Sequence, residues 1–164
     1  MNPLTFCIVG RAGAGKTYFI ERLIPHLTST GLKIATFKQS KRPLHLEYPL
    51  SDGARLSSAG TERSVVFTPN GMMVFPGHNA SLEEALEVAG LGCDVLLVEG
   101  RIMGSHPVIE IVRAGLPVFE DSEVWLSVSF KPTGRQLEVP NEATAAGEII
   151  RRVAQERTVA ACGI

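Results

Sequence analysis

The sequence predicts an α/β fold: a mostly parallel sheet in a three-layer arrangement, helices on both faces, and a β-hairpin inserted mid-chain. Three observations predict it. The apolar runs "LTFCIV" and "DVLLVEG" show no polar alternation, as strands buried on both faces require. Segments with apolar residues at helical spacing stand between such runs, so strands and helices alternate. Finally, "SVVFTPNGMMVF" sets two β-rich runs around a Pro-Asn-Gly turn, a hairpin signal. A chain of 164 residues is long enough to bury a proper core, and a single domain over 1–164 is expected.

Residues 4–9 read as the first strand. From Lys16 to about Thr30, Phe19, Ile20, Leu23, Ile24 and Leu27 recur on one helical face. Pro25 falls inside that pattern and is expected to kink the helix or loosen its last turn; Gly31 suits a left-handed stop. "KIATF" at 33–37 is a second strand, completing a strand–loop–helix–strand unit with a right-handed crossover. Residues 38–51, with two prolines and no period, read as a long exposed loop. A short helix over 52–59, ended by Gly60, precedes the hairpin. "SLEEALEVAG" opens on a capping box from Ser81 to Glu84 and closes on Gly90. "DVLLVEG" is a strand ending at Glu99 and Gly100, and "PVIEIVRAG" and "VWLSVSF" are two more. "EATAAGEIIRRVAQER" is an amphipathic helix with Ile149, Ile150 and Val153 turned inward. There is no internal repeat, linker or low-complexity segment.

Composition excludes several classes of function. Sixteen basic and seventeen acidic residues give a formal charge of −1, which offers no general pull toward nucleic acid or anionic membrane. An aromatic content of 6% provides no base-stacking platform for single strands. No apolar run reaches the roughly 18 residues of a membrane span, and "MNPLTFCIVG" lacks the basic start of a signal peptide. Cys7, Cys93 and Cys162 are far apart and odd in number, so neither a metal pair nor a disulfide framework is expected, and a reducing cytoplasm is the simplest compartment.

The chemistry lies at residues 8–18, "IVGRAGAGKTY". Gly10-x-x-x-x-Gly15-Lys16-Thr17 matches the phosphate-binding P-loop pattern, with the apolar strand before it and the amphipathic helix after it that the pattern needs. The glycines permit positive φ and let backbone amides converge on a phosphate, and the helix start adds its positive dipole end. Lys16 is placed to reach the β- and γ-phosphates, and Thr17 offers a hydroxyl to Mg²⁺. The candidate nucleotide contacts are Gly10, Ala12, Gly13, Ala14, Gly15, Lys16, Thr17 and Tyr18, on a P-loop NTPase-type fold. The bland alternative is a glycine turn with a solvated lysine.

Such a loop needs a second anchor. Glu99 ends an apolar strand, where ligands bind in open α/β sheets, in the manner of a Walker-B acid; Lys16 and Glu99 are the candidate catalytic residues. Thr17, Asp52 and Glu99 are the candidate Mg²⁺ ligands. Asp52 follows the long loop, where γ-phosphate-sensing switches lie; its structural alternative is the N-cap of the helix after it. Asp94 reads as a turn residue. Lys38, Lys41 and Arg42 gather in the long loop, to touch phosphate or an anionic partner or simply to be solvated. Glu110 and Arg113 read as a structural ion pair, with Arg101 and Arg113 as further candidates for assisting hydrolysis. His26, His45, His78 and His106 show no ligand spacing. No guanine-reading Asn-Lys-x-Asp is present; "SFKPTG" near Lys131 is the nearest place and does not match.

With these residues in hand, the chain resembles the molybdopterin-guanine dinucleotide biosynthesis protein B (MobB) family from about residue 4 to residue 115. The resemblance rests on "IVGRAGAGKT", "FIERLIPHL" with its mid-helix proline, "GLKIATFK", "PLSDGARLSSAGTE", "DVLLVEG" and "IEIVRAG", in that order. It implies a small GTP-binding homodimer with weak GTPase activity, assisting the MobA-type guanylyltransferase that joins GMP to molybdopterin. It carries phosphate binding onto Gly10, Gly13, Gly15, Lys16 and Thr17, and magnesium-linked roles onto Asp52 and Glu99. Guanine preference comes from the resemblance alone. One segment departs from the family: a histidine-rich stretch is usual after the second-strand lysine, and here the run is "KQSKRP". Two other functions stay open, a nucleotide-gated adaptor for another metal-cofactor pathway and a small P-loop kinase; the paired arginines of a kinase lid have their nearest match in Arg151 and Arg152, which fall on the terminal helix and are expected on its solvent face.

Overall fold

The computed structural model describes residues 2–40, 50–77, 80–113, 117–129 and 138–162. They fall into two compact units, 1–39 with 89–164, and 40–88.

The first unit is built on a six-stranded sheet. Its strands are β1 (Leu4–Val9), β2 (Ile34–Lys38), β5 (Val95–Glu99), β6 (Val108–Ile111), β7 (Leu126–Val128) and β8 (Glu138–Val139), in the spatial order β2-β5-β1-β6-β7-β8. Every pairing in it is parallel. The central strands are buried on both faces, which is why they read as unbroken apolar runs. β2 stands at an edge and is only half buried. The two-residue β8 and a 3-10 turn at Asp121–Glu123 carry no sequence pattern long enough to announce them.

Side chains alternate between faces along each strand. Phe6, Ile8, Val95, Leu97, Ile109, Leu126 and Val128 share one face and pack on α1 (Lys16–Thr28) and α4 (Glu142–Cys162), which supply Phe19, Leu23 and Leu27 and Ala145, Ile149 and Val153. The intervening residues Cys7, Val9, Leu96, Val98 and Val108 are equally buried on the other face. Pro25 does not break α1. The helix ends three residues later, and Thr28, Ser29 and Thr30 turn their hydroxyls back onto the carbonyls of Ile24, His26 and Leu27. Gly31, at φ 83°, then reverses the chain as expected.

The second unit holds α2 (Leu50–Ser58) and the antiparallel hairpin β3 (Arg63–Thr68) and β4 (Gly71–Pro76). Gly53 lets α2 approach closely, since a Cβ there would stand 2.5 Å from Phe75 and Val66. Ser57 donates from its hydroxyl to the Pro76 carbonyl. The other face of the hairpin carries the cross-strand pairs Val65–Val74 and Phe67–Met72, all exposed, with Phe67 at 81% and Met72 at 71%. α3 (Leu82–Gly90) begins with the expected capping box: Ser81 N–H donates to Glu84 and Glu84 N–H to the Ser81 hydroxyl.

Among the described residues no helix is long and apolar enough to cross a membrane. Cys7 and Cys93 are free thiols, and burial pushes that of Cys7 up, against the opposing pull of a backbone hydrogen bond at Ile102 and the charge of Arg101.

Candidate functional site

The site forms where parallel strands end together. Ile8 of β1 is in register with Glu99 of β5, and Glu99 with Lys38 of β2, so their C-terminal ends make one edge. There the chain leaves β1 through Gly10, Gly13 and Gly15, at φ 141°, 73° and 93°. Gly10 is needed for space as well as for backbone angle, because a Cβ would stand 2.6 Å from the Ile111 carbonyl oxygen. Gly15 is the N-cap of α1, with no side chain to cap it and no acid in the first turn. The helix start therefore presents its amides and positive dipole end without an anion of its own. Lys16 lies back across the loop, its Nζ donating to the carbonyls of Gly10 and Arg11 at 3.0 Å each.

Glu99 alternates with Val95 and Leu97 on the α1 face of the sheet, so its side chain leaves the strand toward the first turn of that helix. Thr17 Oγ1 donates to Glu99 Oε2 at 2.7 Å, and Lys38 Nζ lies 3.1 Å from the same oxygen and 3.5 Å from Thr17 Oγ1. Burial works to raise the Glu99 pKa. Hydrogen bonds from Thr17 and Lys38 and the charges of Lys38 and Lys16 outweigh it, and the carboxyl is held below its ordinary 4.5. Thr17 and Glu99 are thus two hard oxygen donors side by side, with the carboxylate ionised.

Beyond the loop, Ala14, Gly15, Tyr18, Arg113, Ser129 and Asn141 help line a cavity of about 260 Å³. Arg113 Nη1 donates to the Gly13 carbonyl at 2.6 Å. This corrects the expected Glu110–Arg113 ion pair. Glu110 points into the interior from within β6, fully buried, and accepts from Val118 N–H at 2.6 Å, whereas Arg113 lies past the end of that strand and reaches the loop. Arg101 is tied to Glu123 at 2.7 Å. Arg151 pairs with Glu148, and Arg152, expected on the solvent face, lies over the Trp125 ring at 5.3 Å. Asp94 holds the turn before β5, accepting from Lys33 N–H at 2.7 Å and pairing with Arg157.

Asp52 lies in the second unit, within the first turn of α2, and pairs with Arg55 at 3.2 Å. The helix starts two residues earlier than the pattern suggested, so Asp52 is not its N-cap. Lys41, Arg42, His45, His78, Lys131 and most of the loop expected at 38–51 lie outside the described residues. Among those described, no three His, Cys, Asp or Glu side chains form a metal cluster. Two contacts escaped the sequence: Lys38 beside Glu99 and Arg113 on Gly13. The first follows from strand register and the second from strand order, and neither is written in local pattern.

A family model described as molybdopterin guanine dinucleotide synthesis protein B matches residues 5–127. Among solved structures, a molybdopterin-guanine biosynthesis protein B superposes with a TM-score of 0.63 at 18% identity, covering 92% of this chain and 99% of that one. A MobB protein homolog from Bacillus stearothermophilus gives 0.59 at 17% identity, with 92% and 98% covered. Bacillus subtilis MobB gives 0.59 at 20%, with 90% and 96% covered. At these identities the structural likeness speaks to the fold. No curated protein sequence matches significantly.

Proposed function

The chain belongs to the molybdopterin guanine dinucleotide synthesis protein B family, and from that premise we propose that it binds GTP with Mg²⁺, hydrolyses it slowly, and assists the attachment of GMP to molybdopterin. The observation that carries the nucleotide reading is the uncapped start of α1, with the Gly10–Thr17 backbone ahead of it and the Thr17–Glu99 contact beside it. A triphosphate fits this arrangement because the loop offers amides and a lysine while holding no competing acid.

The donor set also fits magnesium, which prefers oxygen and is commonly bound by one or two protein groups plus phosphates and water. Thr17 and Glu99 would hold it, and the role that the resemblance carries onto Asp52 belongs to the same proposal. Bound there, the ion neutralises charge on the phosphate oxygens. Lys16 swings from the Gly10 and Arg11 carbonyls to the terminal phosphates. Water attacks the γ-phosphorus in line, the bond to the bridging oxygen breaks, and GDP and phosphate leave. Turnover is expected to be slow, since Arg101 is committed to Glu123 and Arg113 to Gly13.

Calorimetry with GTP and ATP in the presence of Mg²⁺ tests the reading. The wild type is expected to bind GTP more tightly than ATP, and Lys16→Ala to lose at least about tenfold in affinity. GTP binding untouched by that substitution would overturn the phosphate role. A homodimer and a MobA-type guanylyltransferase partner complete the proposal, supported by the exposed apolar face of the hairpin. The adaptor reading, in which hydrolysis resets a contact state, rests on that same face.

A further inference from the structure

We infer that Arg113 is the residue that joins the phosphate loop to the base site, holding the Gly13 peptide and stacking its guanidinium on a purine ring. This rests on the nucleotide reading above and names a binding residue that neither the loop pattern nor the acidic strand end contains.

Arg113 follows directly on Val112, whose N–H donates to the Val128 carbonyl at 2.9 Å, so the sheet fixes where its side chain starts. Its Nη1 bond to Gly13 spans a separation of 100 residues and lands where the loop turns through φ 73°. Holding that carbonyl outward sets the plane of the Gly13–Ala14 peptide from outside the loop. The same side chain lines the cavity that opens where the loop becomes α1, beside Ala14, Gly15 and Tyr18. At about 260 Å³ the space is near the lower end of the roughly 300–1,000 Å³ typical of small-molecule sites. It continues directly from the phosphate cup, and apolar atoms dominate its walls, as a flat heterocycle requires.

Electrostatics distinguish this arginine from the carboxylate-paired ones. Arg22, Arg101, Arg151 and Arg157 each face a carboxylate, and Arg152 covers Trp125 with Glu156 at 3.7 Å. Among the described residues Arg113 pairs with no carboxylate; its partner is a neutral carbonyl. A guanidinium hydrogen-bonded in its own plane keeps both faces available for stacking, which an ammonium does not. Stacking is blind to the edge of the base, so Arg113 strengthens GTP and ATP alike and is not the source of any guanine preference.

Three probes separate the parts: GTP, ATP and inorganic tripolyphosphate, each titrated calorimetrically with Mg²⁺ into wild type, Arg113→Ala and Arg113→Lys. Lysine keeps a cationic donor for Gly13 but has no plane to stack. The Lys variant is therefore expected to bind tripolyphosphate like wild type while losing about three- to tenfold for both nucleotides. The Ala variant is expected to lose more for the nucleotides than for tripolyphosphate. Nucleotide affinities unchanged in the Lys variant, or equal losses for all three probes, would overturn the stacking role while leaving the nucleotide reading intact. A wild type that binds none of the probes overturns both. Matching ligand-free unfolding midpoints show that the Lys variant is folded.

Discussion

Thr17 Oγ1 and Glu99 Oε2 lie 2.7 Å apart, joining the first turn of α1 to the end of β5 across 82 residues. The contact is between two oxygen groups that the loop pattern and the acidic strand end supply separately, and Lys38 sits 3.1 Å from the same carboxylate. A carboxylate with a hydroxyl and an ammonium beside it is set up to exchange one cation for another.

Thr17→Val and Glu99→Gln are each expected to weaken the Mg²⁺-dependent part of GTP binding by about 10–100-fold. GTP affinity measured with the metal chelated should change little. Calorimetry with and without Mg²⁺ checks this, and equal losses in both conditions would show that the two residues shape the loop instead.

Acid should loosen this corner of the fold. Because the Glu99 pKa is lowered in the native state, the folded protein binds that proton more weakly than the unfolded chain does. The ionised carboxylate therefore stabilises the fold above the unfolded value of about 4.5, and the contribution is lost as pH falls through the lower native value. Expected is a wild type that loses stability relative to Glu99→Gln from about pH 5 downward. Thermal unfolding of both proteins across that range is the measurement, and parallel profiles would contradict it.

Gly10→Ala is expected to cost about 1–3 kcal/mol, because the added Cβ meets the Ile111 carbonyl at 2.6 Å with φ at 141°. Gly147→Ala is the contrast. It lies exposed in α4 with nothing within 4 Å of the added carbon, and the exchange should stabilise by about 0.5–1 kcal/mol. Urea unfolding distinguishes the two signs.

The hairpin predicts an assembly effect. Phe67 and Met72 are 81% and 71% exposed on one face of a two-stranded ribbon. With Phe67→Ser and Met72→Ser combined, the protein is expected to sediment as a monomer where the wild type sediments as a dimer. The double variant should unfold at a similar temperature when diluted, since neither side chain packs inside its own unit. A wild type that sediments as a monomer, or an unchanged dimer in the double variant, would contradict the interface.

Most elements were legible because their signals are local. β1 and β5 are unbroken apolar runs, α1 carries its stripe and glycine stop, and the Ser81–Glu84 box sits within four consecutive residues. Where the reading slipped, no local signal marked the boundary. The start of α2 moved forward to Leu50, taking Asp52 from the cap into the first turn. The short β8 exists because Val128 offers it an edge to pair with.

The glycine-rich turn, and the family that carries it, were legible in the sequence alone, because three glycines, a lysine and a threonine lie in one continuous stretch. Tertiary structure decided which side chains face that turn. Parallel register set Lys38 against Glu99, and the placing of β6 beside β1 brought Arg113 onto Gly13. Strand order is an outcome of burying the whole sheet at once, so no local stretch of sequence records it.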